Sequence, residues 1–253
     1  MSNNPLISII ISYYKKKKYI KKTLNSILRQ SYKNFELIFV YDQENKNDLK
    51  FIKNLLKKFK NTKLIINKKN IGVAKSRNLA IKFCRGKYIA FIDADDIWLK
   101  NKLKLHLLFM QKNNSNISYT SYGIINDKDK LINLRKVSNL IYYEKLIKNC
   151  EIGLSTVMIN RKIKNKVIFP NLKTQEDFAL WLKLMRNGYK FYPLNKVLSY
   201  WRKADNSLSS SSIQKISDAF KLYYNLENKN FIYSIYSVIV LTYNKINKIF
   251  IKN

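Results

Sequence analysis

The sequence predicts an α/β fold, a mostly parallel central sheet flanked by helices with a helical tail behind it. Three observations carry this. Short continuous apolar runs alternate with helix-period segments through the first hundred residues. The runs lack polar alternation, as strands buried on both faces do. Acidic residues gather where those runs end, the edge at which parallel sheets bind ligands.

The elements follow in order. "LISIII", Leu6 to Ile11, reads as the first strand, and "YIKKTLNSILRQ" sets Ile20, Leu24, Ile27 and Leu28 on one helical face. "FELIFV" is the second strand, and "LKFIKNLLKKF" spaces Leu49, Ile52, Leu55, Leu56 and Phe59 as a helix does. "KLII" is the third, "GVAKSRNLAIKFC" a helix entered after Gly72, and "KYIAFI" the fourth strand. Beyond Trp98, "NKLKLHLLFMQ" predicts a helix and "NISYTSYGIIN" strands with a turn. "TQEDFALWLKLMRNGY" is a helix stopped by Asn187-Gly188. "NSLSSSS", Asn206 to Ser212, reads as a loop or linker, and the rest as amphipathic helix. The expected division is a domain over 1–205, with halves of about 1–100 and 101–205, and a helical extension over 206–253.

At 253 residues, 46% of them hydrophobic, the chain has enough apolar material for a core, which excludes global disorder. The net charge of +33 invites a nucleic-acid reading. Arg, the residue of bidentate base and phosphate contacts, supplies only 7 of the 49 basic side chains. The Lys are spread along the whole length, the profile of an A- and T-rich genome, so no nucleic-acid partner is expected. Lys attracted to an anionic membrane is the competing use of the charge. Cys84 and Cys150 make neither a disulfide framework nor a metal spacing, which fits a reducing, cytoplasmic compartment. The N-terminal stretch lacks a basic leader before its short apolar run. "FIYSIYSVIVLTY", Phe231 to Tyr243, is uncharged for 13 residues, short of the roughly 18 to 20 a spanning helix needs. Both an interface-lying helix and a helix packed on the domain remain open for it.

The chemistry concentrates in "GKYIAFIDADDIW". Asp93, Asp95 and Asp96 fall where the fourth strand ends, and Asp42 falls at the same edge after the second. An Asp-x-Asp pair brings oxygen ligands to one point, the chemistry of Mg²⁺ or Mn²⁺. Mg²⁺ binds typically through one or two carboxylates plus substrate phosphates, which makes a nucleoside diphosphate the natural ligand. A blander reading makes Asp95 or Asp96 the cap of a helix starting near Ile97, which explains one aspartate and not three. Asp42 also suits a turn former in "YDQEN". Thr174 and Asp177 have the spacing of a capping box. His106, the single histidine, suits a helix face, and its solitude excludes histidine triads and zinc clusters.

Four segments in order resemble glycosyltransferase family 2, nucleotide-sugar-dependent enzymes of the GT-A fold. They are "ISIIISYYKKKKYIKKTLNSILRQSYKNFELIFVYD", "NIGVAKSRNLAI", "GKYIAFIDADDIW" and "TQEDFALWLKLMRNGY". The resemblance spans roughly residues 6 to 203 and implies inverting transfer from a nucleotide sugar to a glycan or lipid-linked acceptor. It implies donor contacts from Ser12, Tyr14, Asp42, Arg77, Asp93 and Asp95, with Mg²⁺ or Mn²⁺ on Asp95 and Asp93. It implies a general base at Asp177, with Glu176 the fallback. Arg202 in "SYWRK" is a further candidate for the diphosphate. Ser12 stands where the family usually has proline, Lys15 where it has asparagine, and "YDQEN" replaces an Asp-Asp-Gly-Ser turn. The wording around "KKKKYIKKTLNSIL" is most similar to members that build lipopolysaccharide or other bacterial surface glycans, which implies a site at the inner face of the cytoplasmic membrane. The alternatives are a metal-dependent sugar nucleotidyltransferase and a basic membrane- or nucleic-acid-binding module without catalysis.

Overall fold

A computed structural model describes residues 4–137, 139–203 and 212–250. The four leading strands form as expected: β1 (Ile7–Tyr13), β2 (Phe35–Tyr41), β3 (Thr62–Ile66) and β4 (Tyr88–Phe91). Helices α1 (Lys17–Leu28), α2 (Lys46–Leu56) and α3 (Val73–Lys82) connect them. The strands lie parallel in the order β3-β2-β1-β4, with Ile7 level with Phe35 on one side and Tyr88 on the other. Alternation along each strand sorts the apolar side chains between two cores. Ile9, Ile11, Leu37 and Phe39 pack with Ile20, Leu24 and Ile27 of α1 and Ile52 of α2. Ile10, Ile38, Val40 and Phe91 face the other way, against Ala74, Ala80 and Ile81 of α3. Each buried Val, Leu, Ile or Phe among them contributes roughly 1.5–3 kcal/mol by leaving water.

The chain continues through β5 (Ile97–Trp98), α4 (Lys102–Lys112), β6 (Ile117–Ile125), β7 (Leu131–Arg135), α5 (Tyr143–Leu146) and β8 (Met158–Asn160). It ends with α6 (Glu176–Arg186), β9 (Phe191–Arg202), α7 (Ser212–Lys221) and α8 (Phe231–Phe250). The full order is β3-β2-β1-β4-β8-β6-β9-β5, with β7 also on β6. "NISYTSYGIIN" is one strand, β6, and its turn comes after it. Gly123 is not a turn residue: a Cβ there would lie 2.5 Å from the Tyr200 ring on β9. The helix near Ile97 that the blander reading of Asp95 or Asp96 required does not form. β5 pairs with β9, and the next helix waits until Lys102, so neither Asp95 nor Asp96 is an N-cap.

Helix α6 ends as its sequence predicts. Gly188 sits at φ 82, and the amides of Gly188 and Tyr189 donate to the carbonyls of Met185 and Leu184. Its start is different. Gln175, at φ 62, is the N-cap, and the Thr174 amide and hydroxyl both donate to Asp218 Oδ2 of α7 at 2.9 Å. The capping box is not formed, because Thr174 is drawn to the tail. The tail packs into the main core through Ala219, Leu222 and Tyr223. Residues 206–211 of the expected linker lie outside the described residues, and Ser212 already opens α7. Among the described residues no helix is long and apolar enough to cross a membrane.

Candidate active site

The three aspartates after β4 divide their labour. Asp96 is buried at 1% exposure. Its carboxylate accepts from Ser155 Oγ at 2.5 Å and from the Arg202 amide at 2.9 Å. Burial, with Asp93 and Asp95 beside it, pushes its carboxyl well above the usual range. It anchors the turn. Trp98 locks the same turn, donating its amide to Ser26 Oγ and its indole N–H to the Ser155 carbonyl. Asp93 and Asp95 are thereby held at the carboxyl edge of the sheet on a fixed base.

Each of those two carries a cation from a different element. Asp93 accepts from Arg77 Nη2 at 2.7 Å, and Lys16 Nζ stands 2.6 Å from Asp95 Oδ2. Arg77, 4% exposed, also pairs with Glu176 at the start of α6 and lies over the Phe169 ring. One guanidinium from α3 thus ties the end of β4 to the first turn of α6. The next residue, Asp177, is half-buried. Burial, then the Glu176 charge, raise its carboxyl to about 7, with Arg77 opposing and Asp93 adding. Its Oδ1 accepts from the Phe178 amide at 2.8 Å. For Asp95, burial lifts the carboxyl above its usual range despite Lys16.

Asp42 turns inward. It is 1% exposed, and its carboxylate takes four N–H donors, from Asn67, Asn70, Ile71 and Gly72. In this arrangement it staples the loop before α3 to the end of β2 and presents no free oxygen. Arg202 is also committed to protein, at 2% exposure. Its Nε donates to the Asp95 carbonyl and its Nη1 to the Asn126 carbonyl, while Asp129 pairs with it at 2.5 Å. Placed so, Arg202 supports the aspartate turn. Tyr14 lines a cavity of about 480 Å³ with Lys15, Lys17, Gln43 and Asn45, at the carboxyl ends of β1 and β2. Ser12 is half-buried in β1, level with Val40.

The sheet edge thus carries an Asp-x-Asp turn bridged by a buried arginine to an acidic helix start, and comparison with known proteins identifies the family. The family model described as Glycosyl transferase family 2 matches residues 8–170. The chain belongs to glycosyltransferase family 2. It is 30% identical over 245 residues to the Bacillus subtilis protein TuaG, named for teichuronic acid biosynthesis, covering 96% of this chain and 97% of that one. It is 35% identical over 212 residues to Escherichia coli WfgD, a UDP-Glc:alpha-D-GlcNAc-diphosphoundecaprenol beta-1,3-glucosyltransferase, covering 83% and 82%. Among solved structures, S. aureus TarS 1-349 in complex with UDP-GlcNAc superposes with TM-score 0.73 at 23% identity. That match covers 87% of this chain and 65% of TarS 1-349. The mannosyltransferase PcManGT of Pyrobaculum calidifontis, in complex with GDP-Man and Mn²⁺, superposes with TM-score 0.68 at 14% identity, covering 89% and 65%. These likenesses establish the GT-A fold for the glycosyltransferase.

The donor set suits a hard divalent cation that is shared with a ligand. Among the described residues no group of three or more His, Cys, Asp or Glu could hold a metal by itself. Two carboxylates remain, Asp93 with a side chain 34% exposed and Asp95 at 12%. A divalent cation held by such a pair would need further oxygens, such as those of a phosphate, to complete its shell.

Sequence reasoning overlooked three contributors. Lys16 is one of four consecutive lysines, and nothing in the run distinguishes it. Ser155 donates to Asp96 and accepts from the Asp93 amide at 3.0 Å, yet stands about sixty residues away in sequence. Lys102 is fully buried behind Trp98, bonded to His106 Nδ1 at 2.6 Å and the Thr156 carbonyl at 3.2 Å. His106 is likewise interior and meets Ser118 Oγ at 2.5 Å. A helix-face histidine was the expectation; the face turns out to be the inner one.

Proposed function

We propose that this glycosyltransferase moves a sugar from a nucleoside-diphosphate donor to a hydroxyl of a glycan or lipid-linked acceptor, with inversion, during assembly of a cell-surface polysaccharide or lipopolysaccharide. The observation that carries the proposal is the Arg77 bridge, which joins Asp93 to Glu176 and so sets Asp177 beside the Asp-x-Asp turn. The nucleoside would occupy the cavity beside Tyr14, with Ser12 nearby and Asp42 shaping its wall through the loop it staples. The diphosphate would then run past the start of α1 toward Asp93 and Asp95. Mg²⁺ or Mn²⁺, when bound, neutralises charge on the departing diphosphate, and Asp93 and Asp95 would hold it.

The acceptor oxygen attacks the anomeric carbon as the bond to the diphosphate breaks, and the electron pair leaves on the phosphate oxygen. Asp177 takes the hydroxyl proton. A carboxyl near 7 is matched to that task, since a substantial fraction is ionised at neutral pH and that form is basic enough to accept. Glu176 is less suited, because Arg77 occupies it. The two halves then divide the work, residues up to about 100 binding donor and residues 101–205 bringing the base.

The lipid-linked acceptor is supported by WfgD, whose name specifies a diphosphoundecaprenol substrate, and by α8. Ser234, Ser237, Val238 and Leu241 of α8 face the protein. Ile232, Tyr236, Ile239 and Tyr243 stand outward at helical spacing with 60–79% exposure. Such a face on a cationic protein suits the surface of an anionic bilayer, which would hold the enzyme at the inner face of the cytoplasmic membrane. The test is a screen of nucleotide sugars with Mn²⁺. Release of nucleoside diphosphate is expected; release of pyrophosphate would instead identify a nucleotidyltransferase.

A further inference from the structure

We propose that the Lys16 ammonium and a divalent cation are alternative partners of Asp95, so that Lys16 is a positioning residue that sets the threshold for metal entry. The inference rests on the metal reading above and concerns a residue outside the motifs that suggested it.

The contact is built. Lys16 Nζ lies 2.6 Å from Asp95 Oδ2, and the two side chains keep only 17% and 12% of their exposure. A sheltered pair of this kind is screened less than a surface pair. Its base is fixed too, because neighbouring lysines tie α1 down. Lys18 and Tyr19 reach Asp127, Lys22 pairs with Asp129, and Lys17 pairs with Asp48. Asp93 and Asp95 therefore each have an internal counter-ion, but the two counter-ions differ in kind. Arg77 is held by two carboxylates and an aromatic face, and leaving would strand Glu176. Lys16 has Asp95 as its ion-pair partner and a flexible four-carbon stem. When a cation of charge two approaches Asp95, Lys16 is the group that can move.

A dication and an ammonium on one carboxylate repel each other, so metal entry at Asp95 works against the Lys16 contact at Oδ2. Without metal, Lys16 keeps the aspartate turn neutralised. As metal and donor enter, Lys16 is released beside the expected path of the diphosphate, where it adds a positive charge against the phosphates.

The test is an electron paramagnetic resonance titration of Mn²⁺ alone into the full chain at pH 8, without nucleotide. Lys16→Met should bind Mn²⁺ about tenfold more tightly than the natural chain, the low end of what a neighbouring opposite charge does to a carboxylate's proton affinity. Lys16→Arg, which keeps the charge, should stay near the natural value and guards against a mere loss of side-chain packing. Equal Mn²⁺ affinity in Lys16→Met and the natural chain overturns the proposal while leaving the metal reading intact. If Asp95→Asn binds Mn²⁺ as well as the natural chain does, the metal reading itself fails and the proposal with it.

Discussion

Replacing Asp177 by Asn is the sharpest perturbation of the proposed chemistry. Asparagine keeps the size of the side chain and can still accept the Phe178 amide bond that Asp177 Oδ1 makes at 2.8 Å. It cannot take a proton from an acceptor hydroxyl. A positioned general base contributes about 10²- to 10⁴-fold, so transfer should fall by that much while nucleotide-sugar binding barely changes. The pH profile gives an independent reading. With the Asp177 carboxyl raised to about 7, the rate below pH 7 should climb tenfold per pH unit and level above it. Asp177→Asn should lose that limb.

Stability supplies a third check, with its own sign. A carboxyl raised on folding favours the protonated native state, so its contribution is present in acid and is lost as pH rises through about 7. From an ordinary value of 3.8 to about 7, at about 1.4 kcal/mol per pH unit, the ceiling is near 4 kcal/mol. Partial exposure reduces this to about 1–2 kcal/mol. Asp177→Asn should therefore melt no lower than the natural protein at pH 8, and higher if the full effect operates. Donor turnover is followed by nucleoside diphosphate release, and melting by circular dichroism. Near-natural transfer, or a variant that mainly unfolds, would refute the reasoning and leave Asp177 a structural residue of α6.

Three further outcomes are expected. Asp95→Ala should abolish Mn²⁺-dependent binding of nucleoside diphosphate in calorimetry, with a cooperative melt retained, because Asp96 and Trp98 hold the turn. Lys102, whose burial lowers its ammonium well below the usual range, makes the unfolded chain bind more protons than the native one on the alkaline side of neutrality. Stability should rise with pH there, and Lys102→Met should flatten the rise in denaturant titrations at pH 7, 8 and 9. The double substitution Ile232→Glu and Ile239→Glu, at positions 79% and 61% exposed, should weaken flotation with phosphatidylglycerol vesicles while leaving the melting temperature within a degree or two; unchanged flotation would remove the membrane reading.

What was legible in the sequence is what local pattern controls. β1 to β4 are apolar runs buried on both faces, and the Gly188 stop of α6 needs only its neighbours. β8 is three residues long and exists because β4 and β6 leave a gap between them, so no run announces it. Gly123 has the look of a turn signal, while its actual use is to admit the Tyr200 ring. The site followed the same rule. Asp93, Asp95 and Asp177 stand out because carboxylates are scarce and fall at element ends. The partners that decide their behaviour do not stand out. Arg77 reaches a glutamate 99 positions later, Ser155 one of the aspartates 59 positions earlier, and the donors that enclose Asp42 lie 25 to 30 positions on. Asp42 was legible as a sheet-edge residue, whereas the inward direction of its side chain could not be read.

The placement of acid in so basic a chain has a physical logic. Only 16 residues are Asp or Glu, and Asp93, Asp95, Asp96, Asp127, Asp129 and Glu176 all take part in one connected arrangement at the sheet edge. Arg77 joins Asp93 to Glu176; Arg202 joins the Asp95 carbonyl and Asp96 to Asp129; lysines 18 and 22 bind the turn that carries Asp127 and Asp129. Four elements distant in sequence, α1, β4, α6 and β9, are thus held to one another by paired charges. Removing one member of a sheltered pair strands the other, which costs more than the pair contributes net. Substitutions within this arrangement should accordingly be non-additive. A diphosphate, which bare carboxylates would repel, would meet on the proposed reading a site whose acids carry internal counter-ions, Lys16 being the one able to exchange. In a chain of net charge +33, the scarce acids therefore do two jobs at once. On the reading proposed above, they would fix the geometry of transfer and hold back positive charge until the donor enters.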